Sequence, residues 1–377
     1  MVVRLSRHHL LAPFCGLLAA LILTTPATAA PERPTSATAV AERATPTTAV
    51  PERATPAAAV SGRAVVTRPE AAAGWLARQL VDGERFEVVF GGVAYPDQGL
   101  TLDGVFAFAA AGVADDSGAR ALAWVTRPDI RDGYLGDGGT EAYAGATAKL
   151  ALAVQVRGGD PTDVGGLDLI ARLRALQQPD GRFTDRSAYG DYSNAFSQSL
   201  AILALDRTAP GAPPAAAGWL AGTRCADGGY PVVPAQPTCT SDVDATALAV
   251  QALQAADRPA DAAAGLGWLL SVQRADGGFA NAAGTVNANS TGLAAQALRA
   301  GRHPLAWARA RAFLVGLQVG CSGAPADRGA VDFDGGAFDP DTAVRGTTQA
   351  VLGLTGIGYA RLSAADATPG APLPACP

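Results

Sequence analysis

The stretch Trp268-Leu269-Leu270-Ser271-Val272-Gln273-Arg274-Ala275-Asp276-Gly277-Gly278-Phe279 decides the fold, because the chain repeats it. Leu173 and Gln177 precede Asp180-Gly181-Arg182-Phe183, and Trp219-Leu220 precedes Asp227-Gly228-Gly229-Tyr230. Trp75-Leu76 and Gln79 precede Asp82-Gly83, with Phe86 shifted along. A weaker copy has Trp124-Val125 and Asp132-Gly133-Tyr134, and a sixth has Phe313-Leu314, Gln318, an insertion, then Asp334-Gly335-Gly336. The Asp-Gly turns at 82, 132, 180, 227, 276 and 334 give a period of about 48 residues, the signature of a stacked repeat.

Each turn is followed by a second apolar segment with a polar start. These begin Leu102-Asp103-Gly104, Ala144-Gly145-Ala146, Ser193-Asn194-Ala195, Val243-Asp244-Ala245, Ala288-Asn289-Ser290 and Arg345-Gly346-Thr347. Ala/Leu runs such as Thr246-Ala247-Leu248-Ala249-Val250-Gln251 favour helix and close helix packing. Asp103, Asn194, Asp244 and Asn289 stand where N-caps belong, and the Gly of each turn suits a helix end that needs positive φ. Each unit is therefore a helix pair, and six pairs make about twelve helices over 68–361. A lone pair cannot bury its own apolar face, so neighbours stack as an open solenoid or close into an (α/α)6 toroid. Trp75, Trp124, Trp219 and Trp268 recur at one repeat position and read as outer-helix packing.

The pattern carried by Trp268, Leu269, Gln273, Gly277 and Phe279 resembles the QW repeat of squalene and oxidosqualene cyclases. The same helical pair marks protein prenyltransferase β-subunits, and the α domain of transcobalamin and intrinsic factor is similar. The resemblance implies an all-α (α/α)6 toroid whose inner helices start at one mouth. Asp103, Gly145, Asn194, Asp244, Asn289 and Gly346 then ring that mouth, joined by Thr101, Tyr143, Tyr192, Asp242, Asn287 and Arg345. Converging helix N-termini favour anionic or strongly polar ligand groups, and each capping residue also stabilises its helix by about 1 kcal/mol. Asp242-Val243-Asp244-Ala245-Thr246-Ala247 resembles the DxDD-T-A motif of class II terpenoid cyclases, which protonate an alkene or epoxide. That resemblance makes Asp244 the acid with Asp242 beside it. Ala245 stands where the motif has its last Asp, so Asp244 needs heavy desolvation to hold its proton.

Composition bounds the remaining possibilities. The chain has 377 residues, 49% of them hydrophobic, and a formal net charge of −5, which argues against a nucleic-acid partner. The bias toward Ala, Gly, Pro, Arg and Val is that of an actinobacterial-type genome. Arg4, Arg7, the apolar Leu10–Leu23 run and Ala27-Thr28-Ala29 read as a Sec signal peptide over 1–29, with a retained anchor as the alternative. Residues 30–67, with Glu-Arg-Ala-Thr-Pro at 42 and 52, read as a disordered Pro/Ala/Thr-rich linker, and 362–377 as a tail. Export fits four cysteines outside the signal. Cys225 pairs best with Cys239 in one inter-helix loop, leaving Cys321 for Cys376. A zinc site is disfavoured because there is no CxxC and His303 is the only histidine after the signal. No cofactor is required.

These observations lead to a secreted, non-catalytic toroid that captures a small molecule, with a corrinoid such as cobalamin as bound ligand and a membrane uptake system as partner. The corrinoid carriers it resembles close over their ligand with a further domain, so a lid here falls to loops, the 321–341 insertion first, or to a partner. The alternative is a terpenoid-cyclase-like enzyme using Asp242 and Asp244. A third reading is a cell-wall-associated interaction platform.

Overall fold

Six Ala-, Leu- and Gly-rich segments become central helices because their small side chains let helices approach on every side. The computed structural model describes residues 66–376; the expected signal peptide and nearly all of the expected linker lie outside the described residues. The chain runs α1 (Arg68–Gln79), a hairpin of β1 (Glu87–Phe90) and β2 (Val93–Pro96), then α2 (Gln98–Ala111), α3 (Asp115–Val125) and α4 (Pro128–Leu135). It continues with α5 (Ala144–Val156), α6 (Leu169–Arg174), α7 (Ala195–Asp206), α8 (Pro214–Gly222) and α9 (Val243–Ala255). The last elements are α10 (Pro259–Val272), α11 (Ala288–Ala300), α12 (Pro304–Leu317) and α13 (Pro340–Thr355).

Helices α2, α5, α7, α9, α11 and α13 each pack on the next, and α13 returns to α2. The ring therefore closes, and the fold is an (α/α)6 toroid with α1, α3–α4, α6, α8, α10 and α12 outside it. At the tightest step, between α11 and α13, a side chain on Gly292 or Gly353 would run into the facing backbone. Trp75 and Trp124 are buried on outer helices, as the repeat position implies.

The repeated motif works as a hook. Gln273 Nε2 donates to Gly277 O of its own turn at 3.1 Å and to Ala306 O on α12 at 2.9 Å. Gln318 Nε2 does the same to Gly329 O and, 250 residues back, to Arg68 O on α1, so the sixth hook closes the ring. In the third unit the hook comes from the inner helix instead, through Gln198 to Gly181 O and Ala216 O. Gly181, Gly277 and Gly329 have φ of +98°, +93° and +99°, and each turn lies against the carbonyl of the next outer helix, where a Cβ has no room.

Two expected turns are corrected. Asp132-Gly133 lies inside α4, and the turn of that unit is Gly136–Gly139, where Asp137 Oδ1 accepts from Gly139 N and Glu141 N. The sixth turn is Arg328-Gly329, because Val331 N–H, not a group near Asp334, reaches the inner helix. The outer layer also departs from one helix per unit: the second unit has two short helices and the third only a six-residue one. The hairpin has no counterpart in the repeat.

Beyond α13 a 3-10 turn, Tyr359–Arg361, enters the far end of the barrel, and the tail returns past α2 and α3 through Thr368 N–H to Gly112 O and Ala114 N–H to Gly370 O. Both expected disulfides form, Cys225–Cys239 and Cys321–Cys376, and the second ties the tail to the loop after α12. They are consistent with an oxidising, extracellular setting.

Candidate functional site

Hydrogen bonds fix the register of the inner helices. The backbone N–H of the residue ending each turn donates to a buried side chain one turn into the inner helix: Phe86 to Thr101, Phe183 to Gln198, Tyr230 to Thr246, Phe279 to Thr291 and Val331 to Thr347. Thr147 holds the same place in α5, four residues after Tyr143. Two residues before these positions stand Gly99, Gly145, Phe196, Asp244, Asn289 and Arg345, which form the mouth ring.

Half of the expected ring is thereby shifted. Asp103 lies one turn deeper, because α2 begins at Gln98 with Asp97 as its cap. Asn194 lies two residues earlier, and Gly346 one residue later. The N-caps are Asp97, Tyr143, Asn194, Asp242, Asn287 and Asp339, so Asp244 and Asn289 are not caps as expected but sit inside the first turn. Asn194 Oδ1 accepts from Phe196 N and Ser197 N, Asp242 Oδ1 from Ala245 N at 2.8 Å, and Asn287 Oδ1 from Ser290 N at 2.9 Å. These three are occupied in holding helix ends.

Asp244 is different. Its side chain is 3% exposed, and Oδ2 accepts from Asn289 Nδ2 of the next repeat at 3.1 Å. The Ser290 hydroxyl lies beside the carboxyl and acts to lower its pKa. Oδ1 is buried with no hydrogen-bond partner. Burial, and secondly the Asp242 charge, push the Asp244 pKa up to about 7, against the lowering effect of the Ser290 and Asn289 hydrogen bonds. Asp242 is raised as well, by burial. Ala245 contributes a small buried side chain and no polar contact. Asn289 supplies from the neighbouring helix the partner that position 245 lacks.

Across the ring from α9, Asp103 of α2 pairs with Lys149 Nζ of α5 at 2.7 Å, and the ammonium lies beside Gly99 at the mouth. Arg345 pairs with Asp97 at 3.2 Å and bridges α13 to α2. Lys149 is the only lysine of the chain, set in an otherwise apolar helix; that contrast was its signal in the sequence. Asp97 was hidden behind the resemblance of Leu102-Asp103-Gly104 to Val243-Asp244-Ala245. Tyr143 is buried at the start of α5 and donates its hydroxyl to Glu141 at 2.7 Å; burial and that carboxylate push its pKa up to about 12. Tyr192 stands 55% exposed on the loop before α7 and is not brought to Asp244. Among the described residues no group of His, Cys, Asp and Glu is placed to hold a metal ion, and no helix is long and apolar enough to cross a membrane.

No family model matches the sequence, and no curated protein does. Solved structures do. The type II terpene cyclase MstE from Scytonema superposes with a TM-score of 0.56 at 16% identity, over 76% of this chain and 96% of that one. The unsaturated glucuronyl hydrolase from Bacillus sp. GL1 gives 0.51 at 14% identity, over 76% and 95%. The ent-copalyl diphosphate synthase from Streptomyces platensis gives 0.45 at 18% identity over 68% of this chain, which spans half of that longer one. At these identities the likeness to MstE and the hydrolase shows the fold: this chain is an α/α toroid.

Proposed function

We propose that the protein is a Brønsted-acid enzyme of the type II terpene cyclase kind, with Asp244 donating a proton to an alkene at the mouth of the toroid. One observation carries this reading: Asp244 is a buried carboxyl with one oxygen hydrogen-bonded by Asn289 and the other unpartnered. An acid for this chemistry must be protonated near neutral pH and must present its proton to the lumen, and burial meets the first need. The proton leaves Oδ1 and forms a C–H bond with the π electrons of the alkene. The carbocation left on the other carbon is consumed by a further double bond of the substrate, and loss of a proton from the final cation balances the one donated. The carboxylate left behind keeps its bond from Asn289, with the Ser290 hydroxyl beside it, near the N-terminus of α9. The fold shared with MstE, itself a type II terpene cyclase, agrees with this reading. Corrinoid capture and the wall platform find no support in the site: the polar mouth groups are engaged with one another.

The test is turnover of prenyl alcohols and prenyl diphosphates by the full chain and by Asp244→Asn. The variant should lose turnover by at least about a thousandfold while keeping its helical spectrum. Wild-type rates in that variant would remove Asp244 as the acid.

A further inference from the structure

Val89-Phe90-Gly91-Gly92-Val93-Ala94-Tyr95-Pro96 is a run of eight residues without a charge, and every one of them is exposed. A hairpin laid on a core buries alternate residues, and this one does not. Phe90 pairs with Val93 on one face of the ribbon and Val89 with Ala94 on the other, so both faces are apolar and both meet solvent. Gly91 and Gly92 form the tip, with open space around each. The root, by contrast, is fixed. Phe86 is buried beneath Gly104, Asp97 N–H donates to Phe86 O at 3.0 Å, and Arg85 pairs with Glu87 at 2.8 Å. Because Asp97 caps α2, the hairpin stands as a finger on the rim of the mouth. Ten large apolar side chains are exposed among the described residues; four belong to this finger and three to the loops before α7 and α9, so the mouth face carries seven.

We infer that the finger seats the mouth face on a bilayer of uncharged lipids, with Val89, Phe90 and Val93 in the acyl boundary and Tyr95 at headgroup level. A protein partner offers one surface and covers one face of a ribbon; a projection that is apolar on both faces fits a fluid that closes around it. A second copy is disfavoured because strands of four residues give little edge to pair, where a stable dimer buries at least about 1,000 Å². The outer edges of a two-stranded ribbon keep N–H and C=O groups that must stay hydrated, so insertion is shallow. Two residue pairs at about 3.3 Å per residue reach about 7 Å, the depth at which interfacial segments sit. Tyrosine at the base suits the headgroup layer. Charge selects the lipid: Asp137, Asp334, Asp339 and Asp341 stand exposed on other mouth loops and the chain carries a net charge of −5, so anionic headgroups are repelled. Docked in this way the mouth faces the phase in which an apolar alkene dissolves. The inference rests on the hairpin and not on the reading of Asp244, and its test uses no turnover.

The experiment titrates the full chain carrying Phe90→Trp with phosphatidylcholine vesicles, and the difference from wild type isolates the new indole from the five native tryptophans. Its emission should shift to the blue on adding vesicles. Lipids brominated near the headgroup should quench it more than lipids brominated near the chain end. Val89→Ser with Val93→Ser in the same chain should weaken the titration by at least about tenfold, and phosphatidylglycerol in the vesicles should weaken it too. These positions are exposed, so the variants should keep the melting temperature. An indole that stays unquenched overturns the inference even where the chain sediments with vesicles, because residues 1–29 are then what holds it. Binding that requires phosphatidylglycerol overturns it as well. A blue shift without vesicles that grows with protein concentration makes a second copy the occupant and overturns the choice of lipid.

Discussion

Replacing Asp244 by Asn should make the protein more stable above neutral pH while destroying its proposed activity. The folded-state pKa of about 7 lies about three units above the ordinary carboxyl value of 3.8. At 1.36 kcal/mol per unit, that difference is worth about 4 kcal/mol between the two protonation states. The sign follows from the direction of the shift. Because the folded state binds this proton more tightly than the unfolded chain, the contribution is fully present below about pH 4, falls as pH rises toward 7, and is gone above it. An amide of the same shape has no charge to bury and can still accept from Asn289, so the variant escapes that loss. Guanidinium unfolding of wild type and Asp244→Asn at intervals from pH 4 to pH 8 should give curves that coincide near pH 4. They should separate to an advantage for the variant of about 2–4 kcal/mol at pH 8. Asp242 is also raised by burial, so a slope of the same sign persists in the variant. Parallel curves across the whole range would mean that Asp244 is not held protonated by the fold, and the proton-donor reading would go with it.

Four further outcomes test the architecture. Thr246→Val leaves the buried Tyr230 N–H without its 2.8 Å acceptor and should cost about 1–3 kcal/mol in denaturant unfolding, where Thr→Val at an exposed site costs little. Gly277→Ala, at φ +93° with its turn against Arg309 O, should cost more than about 1 kcal/mol, with the loss read as a lower melting temperature. Lys149→Met should destabilise by about 1–3 kcal/mol by stranding Asp103, and Asp103→Leu in the same chain should recover most of it; additive losses would show that the 2.7 Å pair is not coupled. Cutting Cys321–Cys376 by Cys376→Ser opens a closure of 55 residues and should cost about 4 kcal/mol by chain entropy, against about 3 kcal/mol for the 14-residue closure at Cys225.

Much of the fold was legible because a repeat writes the same physics six times. A period of about 48 residues with Gly at each helix end could only be a stacked helix pair, and both disulfides followed from loop position. The register of single helices was less legible. Leu102-Asp103-Gly104 imitates Val243-Asp244-Ala245, yet α2 starts four residues before Leu102, capped by Asp97, because Thr101 and not a later residue must meet Phe86 N–H. Asp334-Gly335-Gly336 imitates a repeat turn in the same way, while the Gly forced against α1 is Gly329. Asn289 as the partner of Asp244 was within reach: the two stand at one position of successive repeats, 45 residues apart, and the ring brings successive inner helices side by side. Tyr359 was not, since it belongs to no repeat and its place depends on a tail folding back into the barrel.

The mouth poses an electrostatic conflict whose resolution explains why one carboxyl there differs from the others. Six helix N-termini converge, and each favours a negative charge by about 0.3–1 kcal/mol. Asp97 and Asp339, part-exposed or exposed at the caps, use that field by offering their oxygens to backbone N–H groups or to Arg345. Asp244 sits in the same field but is shut off from water by its neighbours, and losing hydration costs an ion several kcal/mol, more than the field returns. Its proton is therefore retained by burial while the helix end, Asn289 and Ser290 stand ready to stabilise the anion. A carboxyl under both influences is protonated at rest and yet gives up its proton to a base that excludes water from the mouth, which is the demand an alkene places on its acid. Removing Asn289 separates the two influences: Asn289→Leu keeps the burial, takes away a bond that lowers the Asp244 pKa, and should raise that pKa further while slowing proton transfer. An acid that became both easier to ionise and slower to react in that variant would contradict the division of labour between burial and hydrogen bonding.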